Sequence, residues 1–172
     1  MKGTGIEVEA QEAKLIRELA DREAIRDLMY RYGRGVDSVN LEMVLSTFDD
    51  PSNLIIQTGS GPQQRHEGRK AVEVFYQGRA VNNRTNRLIR HRYKNPLIEL
   101  HGDTATASVY WDEIREENNT LIQAGGTYFD QLRRTAEGWK FSERLIRLAY
   151  RIKLARNTDE AIKAGDVLLA PL

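Results

Sequence analysis

The chain predicts a single α+β domain, with helices packed against one face of a curved, mostly antiparallel sheet. Three observations carry this prediction. Apolar side chains recur at helical spacing through the first third of the chain. Four long strand-like segments then follow one another in the second half. The turns between them, His101-Gly102-Asp103, Glu117-Asn118-Asn119 and Ala136-Glu137-Gly138, are hairpin signals. Helices first and strands after is the order of an α+β fold, and 172 residues suffice for one domain with a real core.

Element by element, residues 1–9 read as a loose leader, and 1–20 as leader plus the start of a helix. From about residue 10 to 36, Leu15, Ile16, Leu19, Ile25, Leu28, Met29, Tyr32 and Val36 form one apolar stripe, with charged residues off it. Asp21 is placed to cap a second segment, so a break near Ala20 is expected. Gly33 and Gly35 weaken the helix just before Asp37. A short helix over 41–48 has Asn40 as its cap. Residues 53–58 read as a strand, Gly59-Ser60-Gly61-Pro62 as a turn, and 68–81 as a third helix packing through Ala71, Val74, Phe75 and Gly78. The meander is expected over 86–100, 104–116, 120–134 and 139–152. A bulge near Glu143 is expected because the apolar set changes phase there, from Trp139 and Phe141 to Ile146, Leu148, Tyr150 and Ile152. The domain proper is expected to span 21–152. Residues 153–172, with the apolar end Val167-Leu168-Leu169-Ala170-Pro171-Leu172, are expected to pack on the body or on a neighbouring subunit.

Composition narrows the chemistry. The formal net charge of +1 gives no general reason to expect nucleic acid or membrane. No cysteine is present, so disulfides, thiolate nucleophiles and thiolate metal sites are excluded. No spacing of His, Asp and Glu reads as a metal site, and no cofactor is expected. Apolar runs fall far short of the roughly 20 residues of a membrane-spanning helix, which makes the cytoplasm the default. Between Arg65 and Lys94 basic residues outnumber acidic ones. They alternate with apolar residues and lack an RNA-binding module's exposed aromatic pairs, so a solvated face or an attraction for anionic substrates is expected there.

Three residues carry the chemical reading. Tyr32 and Asp37 stand five apart at the end of the first helix, and His91 follows in the first long strand. A phenol, a carboxylate and an imidazole suffice for general acid–base work, since imidazole titrates near neutral pH and a carboxylate beside it fixes one tautomer. Asp37 is not needed as a cap, because Ser38 and Asn40 serve equally. His66 and His101 sit at turns and are expected to be solvated. Phe48, Phe75, Tyr93, Asn95, Trp111 and Tyr128 are the expected pocket wall.

In order along the chain, Arg22-Glu23-Ala24-Ile25-Arg26-Asp27-Leu28, Arg31-Tyr32 with Asp37, Glu67-Gly68-Arg69, His91 with Asn95-Pro96, Gly102-Asp103-Thr104-Ala105, Gly126-Thr127-Tyr128-Phe129-Asp130 and Gly138-Trp139-Lys140 form a set. That set resembles a SnoaL-like domain of the nuclear transport factor 2-like superfamily, over about residues 21–151. The resemblance implies a cone-shaped α+β barrel, helices against a bent sheet. It is nearest to the branch of scytalone dehydratase, bile acid 7α-dehydratase and hexachlorocyclohexane dehydrochlorinase, which perform cofactor-free eliminations in an enclosed pocket. It implies catalytic Tyr32, Asp37 and His91, an acid at Asp112 or Glu113, and an arginine near Arg147. The alternation of the strand favours Glu113, which ends an otherwise apolar face. The implied activity is a dehydratase-like lyase on a hydrophobic cyclic or polycyclic small molecule, with a homo-oligomer, trimer or dimer, as the assembly. An isomerase, a polyketide cyclase or a non-catalytic binding or assembly domain is the alternative on the same scaffold.

Overall fold

A computed structural model describes residues 3–83 and 88–157, with Glu160 and Lys163 beyond them. In chain order it contains α1 (Gly3–Asp37), α2 (Leu41–Leu45), β1 (Phe48–Thr58), β2 (Gln64–Glu67), α3 (Arg69–Asn83), β3 (Ile89–His101), β4 (Thr104–Glu117), β5 (Thr120–Thr135) and β6 (Gly138–Arg156). The strands form one six-stranded sheet in the order β2-β1-β6-β5-β4-β3. Every pairing is antiparallel except β1 with β6. The α+β order and the β3–β6 meander agree with the sequence expectation. The sheet is curved but open, with β2 and β3 as its edges.

The first helix departs from expectation. It starts at Gly3, where a loose leader was expected, and continues through Ala20 without a break. Asp21 caps nothing: its carboxylate accepts from the Arg134 guanidinium at 2.7 and 2.6 Å and from the Trp139 indole N–H at 3.1 Å. This pins the helix to the β5–β6 hairpin. Beyond that point Ile25, Leu28, Met29, Tyr32 and Val36 are buried, while Leu15, Ile16 and Leu19 before it are exposed. The stripe is continuous in sequence, but the sheet underlies only its second half.

Helix α3 buries Val72 and Tyr76, whereas Val74 is exposed and Gly78 meets open space. The packed side therefore runs 72, 75, 76, 79, which is proper helical spacing, and corrects the expected set. The expected bulge in β6 is present. Gln131 pairs with Glu143 but Leu132 pairs with Phe141, leaving Ser142 extra. Past it Arg144, Ile146 and Leu148 take the inner face. A second bulge leaves Ala149 extra opposite Gly125-Gly126. There a Cβ on Gly126 would lie 1.9 Å from the Arg147 carbonyl oxygen, so only glycine fits. Bulges bend and twist the strand that carries them, which curves the sheet around the helices. Residues 153–156, expected in the tail, instead extend β6; residues 86–87 of the first expected meander strand, and most of the expected tail beyond β6, lie outside the described residues.

Candidate active site

The contact of α1 with β3 creates the site. The Tyr93 ring approaches α1 so closely that a Cβ on Gly33 would sit 2.7 Å from its Cε2. One helical turn beyond Gly33 is Asp37, and two residues before Tyr93, on the same face of β3, is His91. Glycine at 33 thus draws the helix end onto the strand, and Asp37 meets His91. The Asp37 carboxylate accepts from the His91 backbone N–H through both oxygens at 3.1 Å. His91 Nδ1 lies 2.6 Å from Asp37 Oδ1, a short charge-assisted contact in which the ring N–H donates.

The β3–β4 register supplies the next partner, since His91 stands directly opposite Glu113. Glu113 belongs to the inner face of β4 with Ala105, Ala107, Val109 and Trp111, all buried. Its Oε2 is 3.2 Å from His91 Nε2, and its Oε1 accepts from Arg115 at 2.6 Å. Arg115 in turn pairs with Glu117 at 2.9 Å, and Arg151 reaches Glu117 at 3.2 Å. The imidazole is clamped between two carboxylates in a chain that ends at the surface. Burial disfavours the imidazolium, but the hydrogen bonds and charges of Asp37 and Glu113 outweigh it and raise the His91 pKa. Burial also pushes the Glu113 carboxyl up, but His91, Arg115 and Arg79 more than reverse that and leave it lowered. Both shifts favour the charged forms, a protonated His91 facing an ionised Glu113.

Both residues line a cavity of ≈ 170 Å³, together with Tyr32, Val36, Phe75, Tyr76, Trp111, Tyr128, Ile146 and Leu148. The Tyr32 and Tyr76 hydroxyls are 2.7 Å apart. One proton makes that bond, so the pair retains one to donate. A wider surface cleft of ≈ 950 Å³ lies between α2 and the β5–β6 turn, but contains no imidazole. Its cations are engaged with backbone, Lys140 with the Ser46 carbonyl and Arg69 with that of Phe48.

The other expected residues divide. Phe75, Trp111 and Tyr128 line the cavity, as does Glu113. Asp112 faces the other side of the sheet, where it pairs with Lys94 and accepts from the Tyr150 hydroxyl at 2.7 Å. Arg147 is a correction: past the Ser142 bulge it points outward, over the Phe129 ring, and donates to Gln57 at 3.2 Å. Phe48 is buried in an aromatic cluster with Tyr32 and Phe141 behind the cavity. Tyr93 packs on Gly33 and Tyr128, outside the lining. Asn95 is exposed, at φ 52°, where β3 slips register between Lys94 and Leu97. A one-residue slip turns a side chain to the opposite face. His66, expected to be solvated, packs at a tilt against Phe75 with ring centroids 4.7 Å apart, whereas His101 is exposed.

Residues not anticipated are Tyr76, Arg79, Arg115 and Arg151 in the lining, and a buried Arg144–Asp130 pair beside it. Tyr76 was legible from the 72-75-76 spacing of α3, whereas nothing in that spacing singles out Arg79 from its basic neighbours. The Arg144–Asp130 pair depends on the exact position of the bulge, which the sequence brackets only to within a residue or two. Among the described residues no group of three or more His, Asp and Glu side chains is arranged to hold a metal. Also among them, no helix is long and apolar enough to cross a membrane.

Solved structures share this arrangement of elements. A candidate aromatic ring hydroxylase of Novosphingobium aromaticivorans superposes with a TM-score of 0.68 at 26% identity, covering 78% of this chain and 94% of that one. A candidate scytalone dehydratase of the same organism gives 0.68 at 19% identity, over 80% and 90%. The type 2 hexachlorocyclohexane dehydrochlorinase LinA gives 0.68 at 23% identity, over 81% and 93%. A structure described as NTF2-like with a cystatin-like fold, also from N. aromaticivorans, gives 0.64 at 23% identity, over 81% and 88%. No curated protein sequence matches the chain. The pattern of the SnoaL-like domain matches residues 17–145, most of the chain. The protein therefore belongs to the SnoaL-like domain family, on the NTF2-like scaffold.

Proposed function

We propose that the protein is a cofactor-independent lyase that eliminates water, or a comparable leaving group, from a hydrophobic cyclic small molecule. The observation that carries this reading is the imidazole held between Asp37 at 2.6 Å and Glu113 at 3.2 Å on the wall of an aromatic cavity. An elimination needs a group to take a proton from carbon and one to give a proton to the departing hydroxyl. Glu113, ionised at rest, takes the first; His91, protonated at rest, gives the second through Nε2. The carboxylate is thus the base and the imidazole the acid. Glu113 is a weak base while the imidazolium faces it, but its proton affinity rises as His91 gives its proton away. Afterwards Glu113 returns its new proton to His91 across their contact, so product and water leave a restored pair.

Asp37 stabilises the imidazolium and holds the Nδ1–H tautomer. The spare proton of the Tyr32–Tyr76 pair is available to an enolate oxygen, a donor role of the kind that stabilises developing charge. The candidate scytalone dehydratase and the dehydrochlorinase among the similar structures support elimination over other proton-transfer chemistry on this scaffold.

The test needs no knowledge of the natural substrate. Deuterium exchange at the α-carbon of cyclohexanone and 3-hydroxycyclohexanone in D2O, with loss of water from the latter, is followed by NMR. The expected result is catalysed exchange and elimination, reduced about 10²–10⁴-fold in Glu113→Gln and in His91→Gln. Wild-type rates in both variants would overturn the reading.

A further inference from the structure

The cavity is sorted by depth. Trp111, Ala124 and Tyr128 form a buried inner wall, whereas Thr58 and Arg151 are exposed and Arg79 and Arg115 half-buried at the opening. We propose that Arg79 is the anchor for an anionic group, and that the ligand is a single-ring molecule bearing one carboxylate. For the chemistry this rests on the elimination reading above; for binding it stands on its own.

Charge balance carries the assignment. Asp37, Glu113 and Glu117 supply three negative charges, which protonated His91, Arg115 and Arg151 already match through the contacts described. Arg79 is a fourth cation on the same lining; among the described residues no carboxylate is in ion-pair contact with it, and Glu113 feels its charge only from a distance. Its guanidinium lies 5.8 Å from the centroid of Phe75, near the outer reach of a cation–π contact. A half-buried guanidinium without a counter-ion is poorly compensated, and a carboxylate matches its fork of donors in bidentate fashion. The wall is also rich in donors: Arg115 Nε and Trp111 Nε1 are buried without an acceptor.

Size sets the rest of the ligand. A volume of ≈ 170 Å³ is close to that of an apolar cavity of about 150 Å³ that admits benzene. One ring with a small substituent fills it, and a fused polycycle does not. With the carboxylate on Arg79 at the opening, the ring lies on Trp111 and Tyr128, beside Glu113 and His91.

Titration calorimetry at neutral pH with benzoate, its uncharged counterpart benzamide, and the polycyclic anion deoxycholate tests this. Benzoate is expected to bind wild type about tenfold or more tighter than benzamide, and tighter than deoxycholate. Arg79→Gln is expected to bring benzoate down to the benzamide level, and Arg79→Lys to keep part of the preference. Undetectable benzoate binding, equal affinities for benzoate and benzamide in wild type, or a preference unchanged in Arg79→Gln would each overturn the proposal, and tighter deoxycholate binding would overturn the single-ring assignment. Benzoate binding that persists in Glu113→Gln, alongside exchange rates unaffected by that change, would overturn the elimination reading and leave the anchor standing.

Discussion

Two charge clusters sit in neighbouring parts of the same sheet and are built on opposite plans. Arg144 and Asp130 are completely buried, paired through two hydrogen bonds at 2.7 and 2.8 Å. The guanidinium is enclosed by the rings of Phe141, Tyr32 and Tyr128 at 3.8, 4.1 and 4.5 Å. The Asp37–His91–Glu113–Arg115–Glu117 chain instead runs from the cavity wall to the surface, where the Glu117 side chain is 37% exposed. Arginine keeps its proton at any ordinary pH, so the first cluster is a fixed charge that holds aromatic rings in place. Histidine and glutamate exchange protons readily near neutrality, so the second can move one. Burial alone does not mark a functional charge; a buried group that can change its protonation state beside a cavity does.

The sharpest separation of the two plans comes from paired substitutions. Glu113→Gln is expected to lower turnover about 10²–10⁴-fold while costing about 1–3 kcal/mol of stability, since Asp37 and Glu117 still pair the His91 and Arg115 cations. Asp130→Asn should do the reverse in kind, lowering unfolding free energy by about 3–5 kcal/mol because it strands the Arg144 charge. Urea unfolding and turnover, measured on both proteins, separate the plans; similar profiles for the two variants would erase the distinction.

A smaller loss is expected from Gly33→Ala. Alanine favours helix, yet its Cβ would meet the Tyr93 ring at 2.7 Å, and overpacking of this kind costs about 1–3 kcal/mol. Because the same contact sets Asp37 against His91, turnover should fall with stability. A more stable, fully active variant would show that Tyr93 does not position the pair.

The dependence on pH is subtler. The His91 pKa is raised above its ordinary 6.5, so its contribution to stability is complete below that value and fades as pH rises through the folded-state pKa. The Glu113 pKa is lowered below 4.5, so its contribution is complete above that value and fades as pH falls through the folded-state pKa. The stability difference between wild type and His91→Gln should therefore be greatest between 4.5 and 6.5 and shrink in more alkaline solution. The opposite trend in melting temperature would contradict the clamped imidazolium. Arg147→Ala should matter least, within about 0.5 kcal/mol and without effect on turnover, as befits a side chain on the outer face.

Much of this was legible in the chain, and the misses share a cause. Tyr32, Asp37 and His91 stood out because unusual chemistry interrupts regular apolar spacing, and Glu113 because it ends the run of Ala105, Ala107, Val109 and Trp111 on one face. Arg147 and Asn95 were misplaced because each lies beside a register slip, where alternation stops reporting the face. Arg79 was hidden in a basic stretch whose other members include the exposed Arg65, Arg90 and Arg92.

Local pattern therefore specifies the element order, the hairpin meander and the identity of the trio, because spacing and turn chemistry act between near neighbours. The 2.6 Å contact between residues 54 apart, the recruitment of Glu113 to the second imidazole nitrogen and the cation left over at Arg79 have no local signature. They depend on how closely α1 settles on β3 and on where the bulges fall, which are properties of packing between elements distant in sequence.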